Sequence, residues 1–140
     1  MLSVTHKNIQ SIARFVGIPP ADAYIKVNVD GSSFGNPKNA GFGGLLRNHY
    51  GGWTQGFYGS RGRASNWFVE LLAILGGLQL TLELGYQSII LESNSKAALD
   101  LIAIDHQNEF QPHTTIISLI KKLSALSWMV SFSHTLREDN

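Results

Sequence analysis

Cysteine is absent from the 140-residue sequence. This absence excludes a disulfide framework and a zinc site built from thiolates. The five histidines show no close metal-ligand pairing, so we expect no structural zinc. The composition fits a reducing compartment, and an intracellular location, nuclear or cytoplasmic, is the expectation.

An excess of charge of one sign is also missing. The sequence has 11 Lys and Arg against 10 Asp and Glu, which gives a formal net charge of +1. A protein that binds nucleic acid over a broad basic face normally carries a high positive charge. Any contact with nucleic acid must therefore be local.

Long hydrophobic runs are missing as well. Polar residues interrupt the first 20 residues, unlike the apolar core of a signal peptide, and no stretch approaches the roughly 20 apolar residues of a membrane span. We therefore predict no membrane partner.

Apolar residues make up 44% of the chain, enough for one domain with a core. Pro19 and Pro20 favour a break, so residues 1–22 are predicted to be a linker or N-terminal extension and residues 23–140 a domain.

Hydrophobic periodicity predicts three strands followed by alternating helices and strands. Ile25, Val27 and Val29 alternate with polar residues up to Asp30, as in a half-buried strand. The further predicted elements are strands near 41–48 and 53–59, a helix over 67–84, a strand "SIILES", helices "SKAALDLIAI" and "TTIISLIKKLSAL", and a strand "WMVSFSH". This order predicts an α/β fold: a mixed five-stranded sheet, made of a three-strand antiparallel meander plus two parallel strands, with helices packed on it.

Polar side chains lie at the ends of these elements. Asp30 ends the first strand, Glu70 is predicted to lie in the first turn of the long helix, and Asn94 follows the strand "SIILES". Ligands of α/β sheets collect beyond the carboxyl ends of strands, so these residues can share one cleft. Grouped carboxylates need cations, and hard oxygen ligands suit Mg²⁺ or Mn²⁺. Phosphodiester hydrolysis is the chemistry that uses such sites.

Four blocks of the sequence resemble, in order and spacing, a type 1 ribonuclease H domain. The blocks are "DGSSFGNPKNAGFGGLLRN", "SNWFVELLAILGGL", "IILESNSKAAL" and "HTLREDN". They cover roughly residues 24–140 and are most similar to the plant form found in retrotransposon-derived, reverse-transcriptase-associated proteins. The resemblance implies hydrolysis of the RNA strand of RNA-DNA hybrids by two metal ions, Mg²⁺ or Mn²⁺, held in an Asp-Glu-Asp-Asp set.

The resemblance assigns roles to individual positions. Asp30 and Glu70 stand at the first two acidic positions, and Asn94 stands at the third, where the family has Asp. His134 corresponds to the proton-handling histidine. The fourth Asp would fall four residues after Asn140, so the domain is expected to be C-terminally truncated. The positions that the resemblance implies for contact with nucleic acid are Gly31, Ser32, Asn36, Asn66 and Ser95.

Each candidate also has a structural interpretation. Asp30 before Gly31 is a common turn pair, and Glu70 would be favoured by the positive end of its helix. Asn94 precedes a helix and is a good N-cap, so we prefer capping to metal binding for this residue. His134 can be a polar residue at the end of a strand without a role in chemistry.

The asparagine at the third acidic position predicts impaired catalysis. An amide offers a dipole where the family offers a full charge, so metal occupancy should be poor. We expect a ribonuclease H-type hydrolase of weak or absent activity, either a monomer or part of a larger polyprotein, whose partner is an RNA-DNA hybrid or other nucleic acid. The alternatives are a catalytically silent nucleic-acid-binding module and a domesticated retrotransposon remnant that only folds.

Overall fold

The computed structural model describes residues 3–8, 24–33, 39–63, 65–104 and 114–135. Their helices and strands are, in chain order, β1 (Ser3–Asn8), β2 (Ile25–Ser33), β3 (Asn39–Arg47), β4 (Trp53–Arg63), α1 (Asn66–Glu83), β5 (Ser88–Ser93), α2 (Lys96–Ala103), α3 (Thr114–Ser124) and β6 (Met129–His134). In these parts of the chain, no helix has the length and apolar character needed to cross a membrane.

One mixed sheet contains all the described strands, in the order β1-β4-β3-β2-β5-β6. The pairs β1–β4, β4–β3 and β3–β2 are antiparallel, whereas β5 pairs in parallel with both β2 and β6. The predicted meander and the two parallel strands are therefore confirmed, and the elements end within a few residues of the predicted bounds.

The turn between β3 and β4 is specified by two residues. The side-chain oxygen Oδ1 of Asn48 accepts hydrogen bonds from the backbone amides of Tyr50 and Gly52, at 3.0 and 2.9 Å. Gly51 has a φ of 87°, a conformation that favours glycine. This turn fixes the antiparallel pairing of the predicted hairpin.

The strand β1 is an addition to the predicted architecture. Residues 1–22 were predicted to be a linker or N-terminal extension, but Ser3–Asn8 pairs with residues of β4 from Gln55 to Ser60 and extends the sheet to six strands. The signal in the sequence is weak, because only Val4 and Thr5 have strong strand preferences. Residues 1–2 and 9–23 lie outside the described residues.

The helix α1 lies close to the sheet because two of its residues that face the strands are glycines. A Cβ atom at Gly77 would lie 3.1 Å from Cγ1 of both Val27 and Val29, and one at Gly76 would lie 2.8 Å from the ring of Phe57. The helix is buried on most sides, since it lies against both the sheet and α3, whose residues Ile116, Ile117 and Ile120 are buried. The close approach of α1 fixes the position of its N-terminal end relative to β2.

The central strands β2 and β5 have two different faces. The packed face, which lies under α1, includes Val27, Val29 and Leu91, all buried. The polar face, which carries the alternate residues, includes Lys26, Asn28 and Glu92. There Asn28 Nδ2 donates to Glu92 Oε1 at 3.0 Å, and Lys26 Nζ lies 3.7 Å from Glu92 Oε2.

Candidate active site

The carboxyl ends of three parallel strands bring most of the predicted site residues to one edge of the sheet. Val29 pairs with Ser93 at the last position of the β2–β5 ladder, so Asp30 and Asn94 are the next residues along the two neighbouring strands. Ser93 also pairs with His134 at the end of β6. Asp30 and His134 are exposed, and Asn94 is half-buried.

Glu70 reaches the same edge from α1. Its Oε1 atom accepts a hydrogen bond of 2.7 Å from the backbone amide of Gly31. This contact brings the carboxylate beside the residue that follows Asp30. Glu70 is the fifth residue of α1 and lies just past the first turn, which has no acidic residue, because the helix begins at Asn66 rather than at the predicted Trp67. The predicted first-turn location is therefore wrong by about one residue. The helix-dipole interpretation loses force, since that effect falls off within the first turn.

The start of α2 corrects the structural interpretation of Asn94. Ser95, not Asn94, is the N-cap: its Oγ atom accepts a 3.2 Å hydrogen bond from the amide of Ala98. Ser and Asn have similar capping preferences, so the sequence alone did not separate the two neighbours. The Ser95 amide in turn donates to Ser93 Oγ at 3.0 Å. The predicted capping role of Asn94 is therefore wrong.

His134 contacts the loop that carries Asn94. Its Nε2 atom lies 3.3 Å from the Asn94 carbonyl oxygen, a distance at which the Nε2–H tautomer donates a hydrogen bond. In that tautomer the Nδ1 atom is an acceptor. The ring is exposed, so a proton can reach it from solvent.

The positions predicted to contact nucleic acid differ in location and exposure. Asn66 begins α1 and is exposed, whereas Gly31 is half-buried beside that helix. Ser95 is engaged as the N-cap of α2. Ser32 lies in β2, and Asn36 lies outside the described residues. Their roles in binding stay predictions.

The donor atoms at this edge suit a hard cation in type but are few. Asp30 and Glu70 supply carboxylate oxygens and Asn94 an amide oxygen, and Mg²⁺ and Mn²⁺ prefer such ligands. Within the described ranges, no group of three or more His, Cys, Asp or Glu side chains is placed to hold a metal ion. The ligand atoms therefore suit a divalent cation, but the site carries less negative charge than a pair of metal ions requires.

Sequence reasoning missed the contact between Gly31 and Glu70. A glycine inside a strand pattern often marks a site where another backbone approaches closely, and Gly31 follows Asp30 within β2. That signal was available, but nothing in the sequence identified α1 as the approaching element.

Comparisons with known proteins agree with this architecture. The family described as reverse transcriptase-like matches residues 28–140. A protein of Arabidopsis thaliana, named as a candidate ribonuclease H protein, is 31% identical over 130 residues, which cover 92% of this chain and 21% of the relative. The chain thus spans about a fifth of that relative's length.

Solved structures share the fold. The N-terminal RNase H domain of a Mycobacterium tuberculosis protein superposes with a TM-score of 0.73 at 19% identity, covering 83% of this chain and 84% of that one. LC11 RNase H1, solved in complex with an RNA/DNA hybrid, gives 0.71 at 19% identity, covering 81% and 86%. At such identities the likeness establishes the fold alone, and it confirms the predicted fold class.

Proposed function

Because the chain belongs to the reverse transcriptase-like family and is an RNase H-like domain, we propose that it binds RNA-DNA hybrids and that its reaction is hydrolysis of the RNA strand. The chain matches a fifth of its Arabidopsis relative, so we further propose that it acts as a module of a larger polyprotein.

One observation carries the proposal: the Glu70 carboxylate accepts a hydrogen bond from the Gly31 amide, directly after Asp30. The Glu70 carboxylate of α1 therefore lies beside the residue that follows Asp30, at the edge where β2 and β5 end. At this edge Asp30 is exposed and Glu70 is half-buried. Carboxylate oxygens are the ligands that divalent cations such as Mg²⁺ prefer.

In the proposed mechanism, bound Mg²⁺ or Mn²⁺ supplies polarisation of the scissile phosphate and activation of the attacking water. Asp30 and Glu70 would hold the cation through their carboxylate oxygens, and Asn94 would add an amide oxygen. His134, with Nε2 directed to the Asn94 carbonyl, would accept at Nδ1 the proton that the attacking water releases, and the leaving oxygen would take its proton from solvent.

Asn94 makes the proposed activity weak. It replaces a negative charge with a dipole, and at ligand distances such a charge is worth several kcal/mol at an effective dielectric near 20 (about 4 kcal/mol at 4 Å). The charge deficit lowers cation affinity and leaves the developing charge of the transition state less stabilised.

Restoring the charge tests the proposal. We expect Asn94→Asp to raise metal-dependent cleavage of the RNA strand by at least about tenfold, which needs about 1.4 kcal/mol of transition-state stabilisation. Adding Asp30→Asn should abolish the gain, since it removes a carboxylate of the same site. The measurement is cleavage of a labelled RNA-DNA hybrid by the original protein and both variants. If the folded Asn94→Asp protein cuts no faster than the original, the site assignment is wrong.

The same asparagine favours a second candidate function, a catalytically silent module that binds the hybrid. Hybrid binding measured across a salt series separates this candidate from a remnant that only folds. The salt dependence of binding scales with the number of phosphate contacts, so a silent module with few cationic contacts should bind weakly and lose affinity only gradually as salt rises. An Asn94→Asp protein that binds but does not cut would support the silent module.

A further inference from the structure

We infer that Gly31 is a positioning residue for Glu70, and that the two form one unit that sets where the carboxylate lies relative to Asp30. The inference rests on the proposed function for its consequence, but its geometry stands on contacts of this chain. Two independent observations support it: the space available at Gly31 and the hydrogen bond that its amide donates.

The first observation is the lack of space for a side chain at Gly31. A Cβ atom there would lie 2.6 Å from the carbonyl oxygen of Val69, 2.7 Å from its carbonyl carbon and 2.9 Å from the amide nitrogen of Glu70. All three are backbone atoms of α1, and the Val69 side chain is fully buried. Any side chain at position 31 must therefore push the helix, with Glu70 on it, away from β2.

The second observation is the direction of the Gly31 amide. Gly31 lies two residues past Val29, where the pairing of β2 with β5 ends. Its amide donates to Glu70 Oε1 at 2.7 Å. Hydrogen bonds to an ionised carboxylate are shorter and stronger than those between neutral groups. The end of the strand thus provides an anchor for one oxygen of the glutamate.

The anchor has a consequence for the site. A glutamate side chain has several rotatable bonds and loses conformational freedom when it is held in one place. The Gly31 amide holds Oε1 before any ligand arrives, and Gly31 is joined by a peptide bond to Asp30. The Glu70 carboxylate is therefore held beside the backbone of β2 that carries Asp30, which preorganises one of the two proposed ligands of a shared cation.

A matched pair of glycine substitutions tests the unit. Gly41 lies in β3 of the same sheet, and its Cβ atom would meet only the Gly59 carbonyl oxygen at an ordinary 3.7 Å. We expect Gly31→Ala to weaken Mn²⁺ binding by about tenfold, as loss of an outer ligand contact commonly does. Gly41→Ala should leave it unchanged. Binding is measured from the paramagnetic broadening of backbone amide signals, with thermal unfolding of each variant as the folding control.

A second pair keeps the glycine and changes the glutamate, in case Gly31→Ala does not fold. Glu70→Gln retains an acceptor oxygen at full length but loses the charge, whereas Glu70→Asp retains the charge but is too short to reach Gly31. Hydrogen exchange of the Gly31 amide reports the bond directly. Glu70→Asp should speed exchange by at least about tenfold, and Glu70→Gln should leave it nearly as slow as in the original protein.

The outcomes separate this inference from the proposed function. If Gly31 exchange is the same in the original, Glu70→Asp and Glu70→Gln proteins, Gly31 does not position Glu70 and the inference is overturned, whatever the protein does with metal. If exchange follows the acceptor as expected but Mn²⁺ broadens no signal at residues 30, 31 or 70, the positioning stands and the metal-dependent function fails. Metal binding that is equally strong in Gly31→Ala and Gly41→Ala would also overturn the inference.

Discussion

The packed face and the polar face of β2 and β5 are stabilised in different ways. On the packed face, Leu91 is fully buried and a Cβ atom at Gly77 would lie 3.4 Å from its Cδ1, so shape decides which residues fit. On the polar face, Glu92 is held by Asn28 and Lys26 through directed polar contacts. Apolar packing depends on volume, whereas the polar contacts depend on charge and geometry.

The difference explains why the candidate site lies where it does. Alternate residues of β2 lie on the same face of the sheet. Asp30 is therefore on the polar face with Asn28, and Gly31 is on the packed face with Val29. Because Gly31 has no side chain, α1 can bring Glu70 to the end of the packed face. Asp30 and Glu70 thus approach the end of the strand from different faces of the sheet.

The largest expected difference between the faces is in folding stability. Leu91→Ala should lower the free energy of unfolding by about 2–5 kcal/mol, because it leaves a cavity under α1. Glu92→Gln, one residue along, keeps an acceptor for Asn28 and loses the ion pair with Lys26, so it should cost at most about 1 kcal/mol. Urea unfolding of both variants measures the two values. Equal losses would remove the distinction between the faces.

A smaller effect is expected at the end of β5. Ser95→Ala removes the N-cap of α2 and should cost about 1 kcal/mol. Asn94→Ala, at the neighbouring position, should cost less than about 0.5 kcal/mol, because the Asn94 side chain is only half-buried and lies outside the cap. The two variants are compared by denaturant unfolding. A larger loss for Asn94→Ala would restore the capping role that the hydrogen bonds assign to Ser95.

The smallest expected effect is on the pH dependence of folding stability, and it comes from the phenol of Tyr86, which packs against the core. Burial raises the pKa of Tyr86 above its ordinary value of 10.0, while a hydrogen bond with Thr54 acts in the opposite direction. The unfolded chain therefore loses this proton first, so the stability contributed by neutral Tyr86 is complete below about pH 10 and is lost as pH rises through the folded-state pKa.

Tyr86→Phe should remove that part of the alkaline loss of stability. The free energy of unfolding, measured by urea titration at a series of alkaline pH values, should fall less steeply for the variant than for the original protein. Parallel pH profiles would show that burial does not control the ionisation of this phenol.

Much of the fold could be predicted because the apolar pattern and the packing agree. The alternation from Ile25 to Val29 gave the right strand and the right buried face, and the helical spacing around Leu78 gave α1 to within a residue at each end. These elements are specified locally and then stabilised by one shared core.

The details of the site were less predictable because they depend on contacts between distant parts of the chain. The bond from Gly31 to Glu70 joins residues 39 positions apart, and the capping choice between Asn94 and Ser95 depends on backbone geometry rather than on residue type. The family resemblance identified Asp30 and Glu70 as candidates, but it did not contain the anchor between them. Their catalytic roles stay predictions.

The pairing of β1 with β4 changes what the sheet offers to neighbouring molecules. Among the described strands, β4 is the longest, at 11 residues, and an unpaired strand of that length would be a template for intermolecular pairing. With β1 in place, the outermost strands of the sheet are β1 and β6, each of 6 residues. The N-terminal strand therefore replaces a long strand edge with a short one, at the side of the sheet away from the carboxylates.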